Sequence, residues 1–283
     1  MSRVFLTECP RDALQGIKAF IPTDVKVKYL QSLLRVGYDV LDFGSFVSSK
    51  AVPQMRDTHE LVKQLDLSDT KTKLLAIVAN ERGAAEALSY DQISYIGYPF
   101  SISENFQMRN TNTTIEDSLV LVNRLVKHAS SVNREVVVYL SMGFGNPYGD
   151  PWSPGLVADW VSRLVDMGVA RISLSDTVGM AQLKTITDLF AHLLQAYPAI
   201  VFGAHLHAKP NEATSKIEAA YAGGCRAFDS AIRGLGGCPM AKDELTGNVP
   251  TEKLFSFLTT QKAQLSVNML HFEAAYNVSM QVC

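Results

Sequence analysis

The 283-residue sequence predicts an α/β fold, a (β/α)8 (TIM) barrel with a short C-terminal helical extension. Two observations predict it: short β-branched segments alternate with longer amphipathic ones, and eight such units recur without a Pro/Ser-rich linker or low-complexity stretch. Strands that alternate with helices form a parallel sheet, and eight units close that sheet into a barrel. We therefore expect residues 1–283 to form a single domain.

The predicted strands are short apolar runs such as Val136-Val137-Val138, as expected of strands that are buried on both faces. They cover residues 4–9, 40–46, 73–78, 93–100, 135–141, 171–176, 200–207 and 227–232. An open doubly wound sheet is the alternative arrangement. No G-x-G-x-x-G follows the first strand, which removes one common reason to prefer that alternative.

Amphipathic helices are predicted between several of these strands. The first begins near Thr23, has apolar residues at helical spacing and stops at Gly37. The same pattern covers residues 115–129, 154–168, 183–197 and 211–223, and residues 269–283 are predicted to form the extra C-terminal helix.

Composition excludes several classes of protein. The net charge of −2 and the pI near 6.3 provide no basic field for nucleic acid or for an anionic membrane. The four cysteines show no C-x-x-C pairing, which argues against a zinc ribbon or a disulfide framework and fits a reducing compartment. The first apolar run is too short for a signal peptide and no later run approaches a membrane span, so we expect a soluble cytoplasmic protein.

The clearest chemical signal is the pair His205 and His207 at the end of the seventh predicted strand. Residues two apart on a strand point the same way, so both imidazoles can face one point. Two imidazoles and one carboxylate form a competent site for a divalent cation. We expect Asp12 to supply that carboxylate, because it leaves the first strand, which lies near the seventh once the barrel closes.

Other polar residues fall at strand ends, where barrel enzymes carry their active sites. Arg11 is either a surface ion-pair partner or an oxyanion-stabilising group. Asp42 interrupts an apolar strand, where a buried carboxylate is costly unless it is paired. Asp176 is either a functional carboxylate or a helix cap. Cys238 lies in a glycine-rich loop that can approach a ligand closely. Its thiol is either a proton donor or acceptor, or it is inert.

These residues together resemble the 3-hydroxy-3-methylglutaryl-CoA lyase family, within the metal-dependent barrel lyases and Claisen-type synthases. The matching stretches extend over nearly the whole chain in the family's order. They are Pro10-Arg11-Asp12-Ala13-Leu14-Gln15, Ser45-Phe46-Val47-Ser48 with Val52-Pro53-Gln54-Met55, Ser173-Leu174-Ser175-Asp176-Thr177-Val178-Gly179, His205-Leu206-His207 and Gly234-Leu235-Gly236-Gly237-Cys238-Pro239 with Gly247-Asn248.

The resemblance implies cleavage of 3-hydroxy-3-methylglutaryl-CoA to acetyl-CoA and acetoacetate, by a homodimer that uses Mg2+ or Mn2+. Leucine degradation is one pathway that such a reaction serves. By resemblance the metal ligands are Asp12, His205, His207 and Asn248, the residues at the reacting centre are Arg11, Asp42, Asp176, His205 and Cys238, and Lys18 meets the CoA phosphates. Asp176 and His205 both remain candidates for the base that takes the hydroxyl proton.

Five departures from the family pattern are present. Asp42 stands where the family usually has Glu, Ala13 replaces a Gly, Ala208 replaces an acidic residue, and Gly16-Ile17 replaces Asn-Glu. The span from Cys238 to Asn248 is one residue longer, which bears on the placement of Asn248. The alternatives are therefore a retro-aldol or Claisen enzyme acting on a related 3-hydroxy acyl-CoA or 2-oxo acid, and a catalytically silent barrel that binds a CoA ester.

Overall fold

Eight parallel strands close into a barrel in the computed structural model, which describes residues 3–237 and 246–282. Each strand pairs with its neighbours along the chain, and β8 pairs with β1 to complete the circle. The strands are β1 (Phe5–Glu8), β2 (Val40–Ser45), β3 (Lys73–Ile77), β4 (Ile93–Ser101), β5 (Glu135–Ser141), β6 (Arg171–Asp176), β7 (Val201–Ala208) and β8 (Ala227–Ser230). The predicted barrel is confirmed, and every predicted strand is present with bounds within two residues of those expected.

A ninth strand was not predicted. β9 (Gly247–Asn248) pairs antiparallel with the end of β7, opposite Ala208 and His207. At two residues it is too short to show any periodicity in the sequence.

Helices surround the barrel. They are α1 (Pro10–Gln15), α2 (Thr23–Val36), α3 (Thr58–Gln64), α4 (Glu81–Leu88), α5 (Glu104–Thr111), α6 (Ile115–Ser131), α7 (Pro154–Asp166), α8 (Leu183–Ala196), α9 (Ala213–Ala222), α10 (Thr251–Thr260) and α11 (Met269–Val282). Several of them begin at a side-chain cap: Asn80, Ser103, Thr114 and Ser153 accept backbone N–H bonds at the starts of α4, α5, α6 and α7. α1, α3, α4, α5 and α10 were not predicted, because helices of ten residues or fewer give a weak periodic signal.

The apolar core has two parts. A large cluster fills the space between the strands and the helices, and a small one lies inside the barrel around Val40, Leu75, Ile77, Tyr95 and Tyr139. The inner cluster lies below the polar side chains that gather at the carboxyl ends of the strands, the end at which barrel enzymes carry their active sites. None of the helices in the described ranges is long and apolar enough to cross a lipid bilayer.

Candidate metal centre and active site

A cavity of about 180 Å3 opens at the carboxyl ends of the strands. One wall is apolar and includes Val47, Val52, Ile77, Pro99 and Phe106. The opposite wall is polar and includes Arg11, Asp12, Ser141, Thr177, His205 and His207. A cavity with one apolar wall and a few converging polar groups is the usual form of a small-molecule site.

Asp12, His205 and His207 meet on the polar wall. All three are buried, and one ligand atom from each lies within 4.8 Å of the other two. Asp12 Oδ2 is 3.8 Å from His207 Nε2, and the two imidazole rings are 5.2 Å apart between centroids. The i, i+2 spacing on β7 therefore places both rings on one side of the strand, as expected.

Hydrogen bonds fix which nitrogen of each ring faces the cavity. His207 Nδ1 lies 3.1 Å from the carbonyl oxygen of Thr177, so it carries the proton and Nε2 keeps its lone pair. That buried Nε2 has no hydrogen-bond partner among the described residues. Burial lowers the pKa of His207 to about 4, with a further contribution from nearby His205, so the ring is neutral and able to bind a cation.

His205 is held from behind by Asp229, a residue of β8. His205 Nδ1 lies 3.2 Å from Asp229 Oδ2, which also accepts a 2.9 Å bond from Ser173 Oγ. Burial alone would lower the pKa of His205, but the hydrogen bond and charge of Asp229 raise it. A carboxylate that engages one nitrogen of a histidine, and leaves the other for a metal, is the usual outer-sphere support of a metal ligand.

Asn248 lies beside Asp12. Its Nδ2 donates to Asp12 Oδ2 at 2.6 Å and to the Leu235 carbonyl at 2.9 Å. Strand β9 produces this placement, since it pairs Asn248 with His207. The structure thus brings together all four residues that the resemblance proposes as ligands, although the loop before Asn248 is longer than the family pattern.

Arg11 and Asp42 form a buried ion pair next to this group. Arg11 Nε and Nη2 donate to both carboxylate oxygens of Asp42 at 2.5–3.2 Å, while Nη1 donates to Gln15 at 2.9 Å and to Asp12 at 3.3 Å. Burial raises the pKa of Asp42 to about 6, against the opposing effect of Arg11, so Asp42 is ionised at neutral pH. Burial would also raise the pKa of Asp12, but Arg11 and the two histidines lower it.

The balance of buried charge fits a divalent cation. Three buried carboxylates, those of Asp12, Asp42 and Asp229, lie around this centre with one guanidinium, that of Arg11. Nε2 of His207, which has no hydrogen-bond partner among the described residues, supplies an unprotonated nitrogen that can coordinate a cation. Oxygen and imidazole donors of this kind suit Mg2+ or Mn2+.

Three other predicted site residues lie elsewhere. Asp176 points away from the barrel interior, where it accepts a 2.6 Å bond from Lys216 Nζ and a 3.1 Å bond from the Ala181 amide. Strand alternation explains this direction, because Ser175 and Thr177 on either side of it line the cavity. Lys18 is exposed in the segment between α1 and α2. Cys238 lies outside the described residues.

Sequence reasoning missed Asp229 and Lys216. Asp229 interrupts the apolar run of β8 just as Asp42 interrupts β2, so the argument that singled out Asp42 applied to it equally. Lys216 gave no signal, since a lysine on an amphipathic helix usually reaches water. Tyr139 of β5 also lines the cavity and lies edge-on to His205, with 5.3 Å between ring centroids.

A carboxylate, two imidazoles and a guanidinium around one cavity at the top of a parallel barrel define a barrel enzyme, here of the carbon–carbon lyase class. The chain belongs to the HMGL-like family, whose model matches residues 4–278. It is 34% identical over 262 residues to the cytoplasmic 3-hydroxy-3-methylglutaryl-CoA lyase of Homo sapiens, covering 92% of this chain and 70% of that protein. The mitochondrial hydroxymethylglutaryl-CoA lyase of Rattus norvegicus is 33% identical, with 92% and 79% covered.

Solved structures give the same family. The hydroxymethylglutaryl-CoA lyase of Pseudomonas aeruginosa superposes with a TM-score of 0.91 at 31% identity, covering 99% of this chain and 93% of that one. An HMG-CoA lyase from Acinetobacter baumannii, solved with coenzyme A and 3-methylmalate, has a TM-score of 0.91 at 25% identity, with 99% and 91% covered. The carboxyl transferase domain of Rhizobium etli pyruvate carboxylase shares the fold alone, with a TM-score of 0.73 at 14% identity, over 99% of this chain and 47% of that one.

Proposed function

We propose that this protein cleaves 3-hydroxy-3-methylglutaryl-CoA to acetyl-CoA and acetoacetate with the help of Mg2+ or Mn2+. The observation that carries the proposal is the buried convergence of Asp12, His205 and His207, with Asn248 and Arg11 beside them, on one wall of the cavity. Lyases with this activity among the relatives support the choice of substrate.

Asp12, His205, His207 and Asn248 would hold the divalent cation. When bound there, the cation would supply Lewis-acid chemistry that acidifies the substrate hydroxyl and fixes the orientation of the bond to be broken. Asp229 and the Thr177 carbonyl orient the two imidazoles for that purpose.

The reaction needs a base, an oxyanion partner and an acid. The base removes the hydroxyl proton, the carbonyl of acetoacetate forms, and the electrons of the broken C–C bond pass into the enolate of the acetyl thioester. Arg11 lines the cavity as a permanent cation and would stabilise the enolate oxygen. We assign the acid that protonates the enolate carbon to Cys238, and the CoA phosphates to Lys18, on the resemblance alone.

Of the two candidate bases, His205 lines the cavity and Asp176 does not. His205 can accept a proton only at Nε2, because Nδ1 is engaged by Asp229. The same nitrogen is the one offered to the cation, so His205 cannot serve as ligand and base at the same instant. We propose His205 for both roles: it would be a ligand where the cation is held at Nε2, and it would be a base only where that nitrogen is free.

We also propose that the chain works as a single-domain protein, as a homodimer and in the cytoplasm. Scattered cysteines without C-x-x-C pairing support a reducing compartment, and three of the relatives, those of Homo sapiens, Rattus norvegicus and Danio rerio, bear a cytoplasmic name. The homodimer rests on the family resemblance.

The test is acetyl-CoA release from 3-hydroxy-3-methylglutaryl-CoA by purified protein, with Mn2+ or Mg2+ and again after chelation. We expect metal-dependent turnover that is lost in Asp12→Ala and in His205→Ala and kept in His128→Ala, an exposed histidine of α6. A folded, metal-loaded protein that releases no acetyl-CoA would reject this substrate. Turnover of a related 3-hydroxy acyl-CoA would then identify the departures at Asp42 and Ala208 as changes of specificity, and turnover of no thioester would leave a CoA-ester-binding barrel.

A further inference from the structure

Lys216 is a lysine of α9 that is only 3% exposed and whose ammonium reaches the main chain of the proposed ligand His207. We propose that Lys216 is a positioning residue, whose ammonium sets the geometry of the ligands His207 and Asn248. This inference rests on the proposed metal-dependent function, and it concerns a residue that does not line the cavity.

The ammonium is fully engaged. Lys216 Nζ donates to Asp176 Oδ2 at 2.6 Å, to the Gly179 carbonyl at 2.8 Å and to the His207 carbonyl at 3.0 Å. A lysine ammonium has three N–H donors, so these acceptors saturate it and fix its direction. One of the three acceptors is the main chain of His207 itself.

The other two acceptors control the imidazole ring of His207. Asp176 and Gly179 are the two ends of one tight turn, closed by a 3.1 Å bond from the Gly179 amide to the Asp176 carbonyl. The turn contains Thr177, whose carbonyl accepts from His207 Nδ1. Lys216 therefore fixes the position of the His207 main chain relative to the Thr177 carbonyl, the group that orients the His207 ring.

The same turn contacts the segment that carries Asn248. Gly179 has a φ of +73°, and a Cβ at this position would lie 2.5 Å from Thr246 Cγ2, so the turn packs closely against Thr246. Two residues later Asn248 pairs with His207 in the β7–β9 ladder. Moving the turn would thus displace two of the four proposed ligands, while Asp12 and His205 have their own supports in Gln15 and Asp229.

An ordinary buried ion pair is the competing explanation, and the chain contains a matched control for it. Lys26 is fully buried on α2 and donates to Asp57 Oδ1 at 2.6 Å and to the Gln54 carbonyl at 2.5 Å. Neither Lys26 nor Asp57 lines the cavity. Both lysines bond one carboxylate and at least one carbonyl, but only Lys216 bonds the main chain of a proposed ligand.

The experiment measures Mn2+ affinity by the electron paramagnetic resonance signal of free Mn2+ in a titration of the full chain. The variants are Lys216→Met and the double variant Lys216→Met with Asp176→Asn, which leaves no unpaired charge in the event that the single variant does not fold. We expect Mn2+ binding to weaken by at least about tenfold, as for losses of outer-sphere support. Saturating Mn2+ should restore most of the turnover. Lys26→Met with Asp57→Asn should bind Mn2+ as the wild type does.

A folded double variant at Lys216 and Asp176 with wild-type Mn2+ affinity would overturn the inference. Equal weakening in the Lys26 and Asp57 variant would overturn it too, because the effect would then follow from any lost buried pair. A wild-type protein that binds Mn2+ but releases no acetyl-CoA would reject the proposed reaction and leave the positioning role standing.

Discussion

Arg11 and Asp42 show how a single residue pair supports the site. Asp42 is fully buried, and its two oxygens accept from Nε and Nη2 of Arg11, which is itself only 9% exposed. A buried pair of this kind contributes little net stability compared with apolar residues. Removing one partner is costly, because it leaves an uncompensated charge away from water. Asp42 therefore keeps the guanidinium both charged and directed at the cavity.

We expect Asp42→Asn to lower the free energy of unfolding by about 3 kcal/mol, since Arg11 would retain only the more distant Asp12 as a charged partner. Urea denaturation at neutral pH measures the loss. Asp188→Asn is the control, because it removes an exposed pair with Lys184 on α8 and should leave the denaturation midpoint unchanged. Equal midpoints for wild type and Asp42→Asn would contradict the argument.

At the scale of elements, Glu8 joins β1 to α10 and to the segment after β8. Its fully buried carboxylate accepts from Thr251 Oγ1 and from the Ile232 amide, both at 2.7 Å. Burial raises the pKa of Glu8 to about 8, although these hydrogen bonds lower it in part. The native state therefore binds a proton that the unfolded chain has released, and stability falls as pH rises from near the unfolded pKa through about 8.

We predict that Glu8→Gln removes this pH dependence, because an amide keeps an acceptor oxygen but does not ionise. Compared with the wild type, the variant should gain stability from about pH 5 to about pH 9, by at most about 1.4 kcal/mol per pH unit. Denaturation midpoints at several pH values provide the measurement. In the control variant Glu116→Gln, the denaturation midpoint should change with pH as it does in the wild type. Arg163 lowers the pKa of the exposed Glu116 carboxylate, which therefore stays ionised throughout this range. A difference in stability between Glu8→Gln and the wild type that does not change with pH would contradict the raised pKa of Glu8.

The glycine-rich segment after β8 packs closely against two of the proposed metal ligands, Asp12 and Asn248. Gly236 has a φ of +97°, and a Cβ there would lie 2.6 Å from Asn248 Nδ2 and 2.8 Å from the Asp12 carbonyl. Glycine is thus required both for the backbone conformation and for the close approach.

Gly236→Ala should displace Asn248 and weaken Mn2+ binding by about tenfold, a loss typical of disturbed outer-sphere contacts. Gly149→Ala separates the two effects, because Gly149 also has a positive φ, +76°, but has open space where the Cβ would lie. It should cost stability without changing Mn2+ affinity. If both variants bind Mn2+ as the wild type does, the close approach of Gly236 to Asn248 and Asp12 does not determine the Mn2+ affinity.

At the scale of the whole molecule, the proposed metal centre joins two parts of the chain that are far apart in sequence. Asp12 and Asn248 are 236 residues apart in sequence and 2.6 Å apart at their polar atoms. An ion bound to both would stabilise the closed barrel, because it binds the folded state and not the unfolded chain.

We therefore expect Mn2+ at about one hundred times its dissociation constant to stabilise the fold by about 2.7 kcal/mol, and to raise the melting temperature by roughly 4–5 °C. Thermal unfolding with added Mn2+ and with chelator measures the shift. Asp12→Asn should melt at one temperature under both conditions. A wild-type protein with no shift would show that no cation binds at this centre.

Local sequence was sufficient for the parts that depend on short-range periodicity. The alternation of strands and helices predicted the barrel, and the i, i+2 spacing of His205 and His207 predicted that their rings converge. Asp42 was also identified as a residue that needs a partner, because burial of a carboxylate inside an apolar strand has a known cost. The resemblance added Asn248, which no local pattern would have selected.

Tertiary structure alone decided which side chains support these groups. Ser175, Asp176 and Thr177 follow one another at the end of β6. Only the closed barrel determines that Ser175 and Thr177 face the cavity while Asp176 faces Lys216. The contact of Asp229 with His205 joins residues 24 apart, and that of Lys216 with Asp176 joins residues 40 apart. Local periodicity determines which faces of an element are apolar. The partner across each face is set by how all eight strands close, because that closure brings distant residues into one small volume.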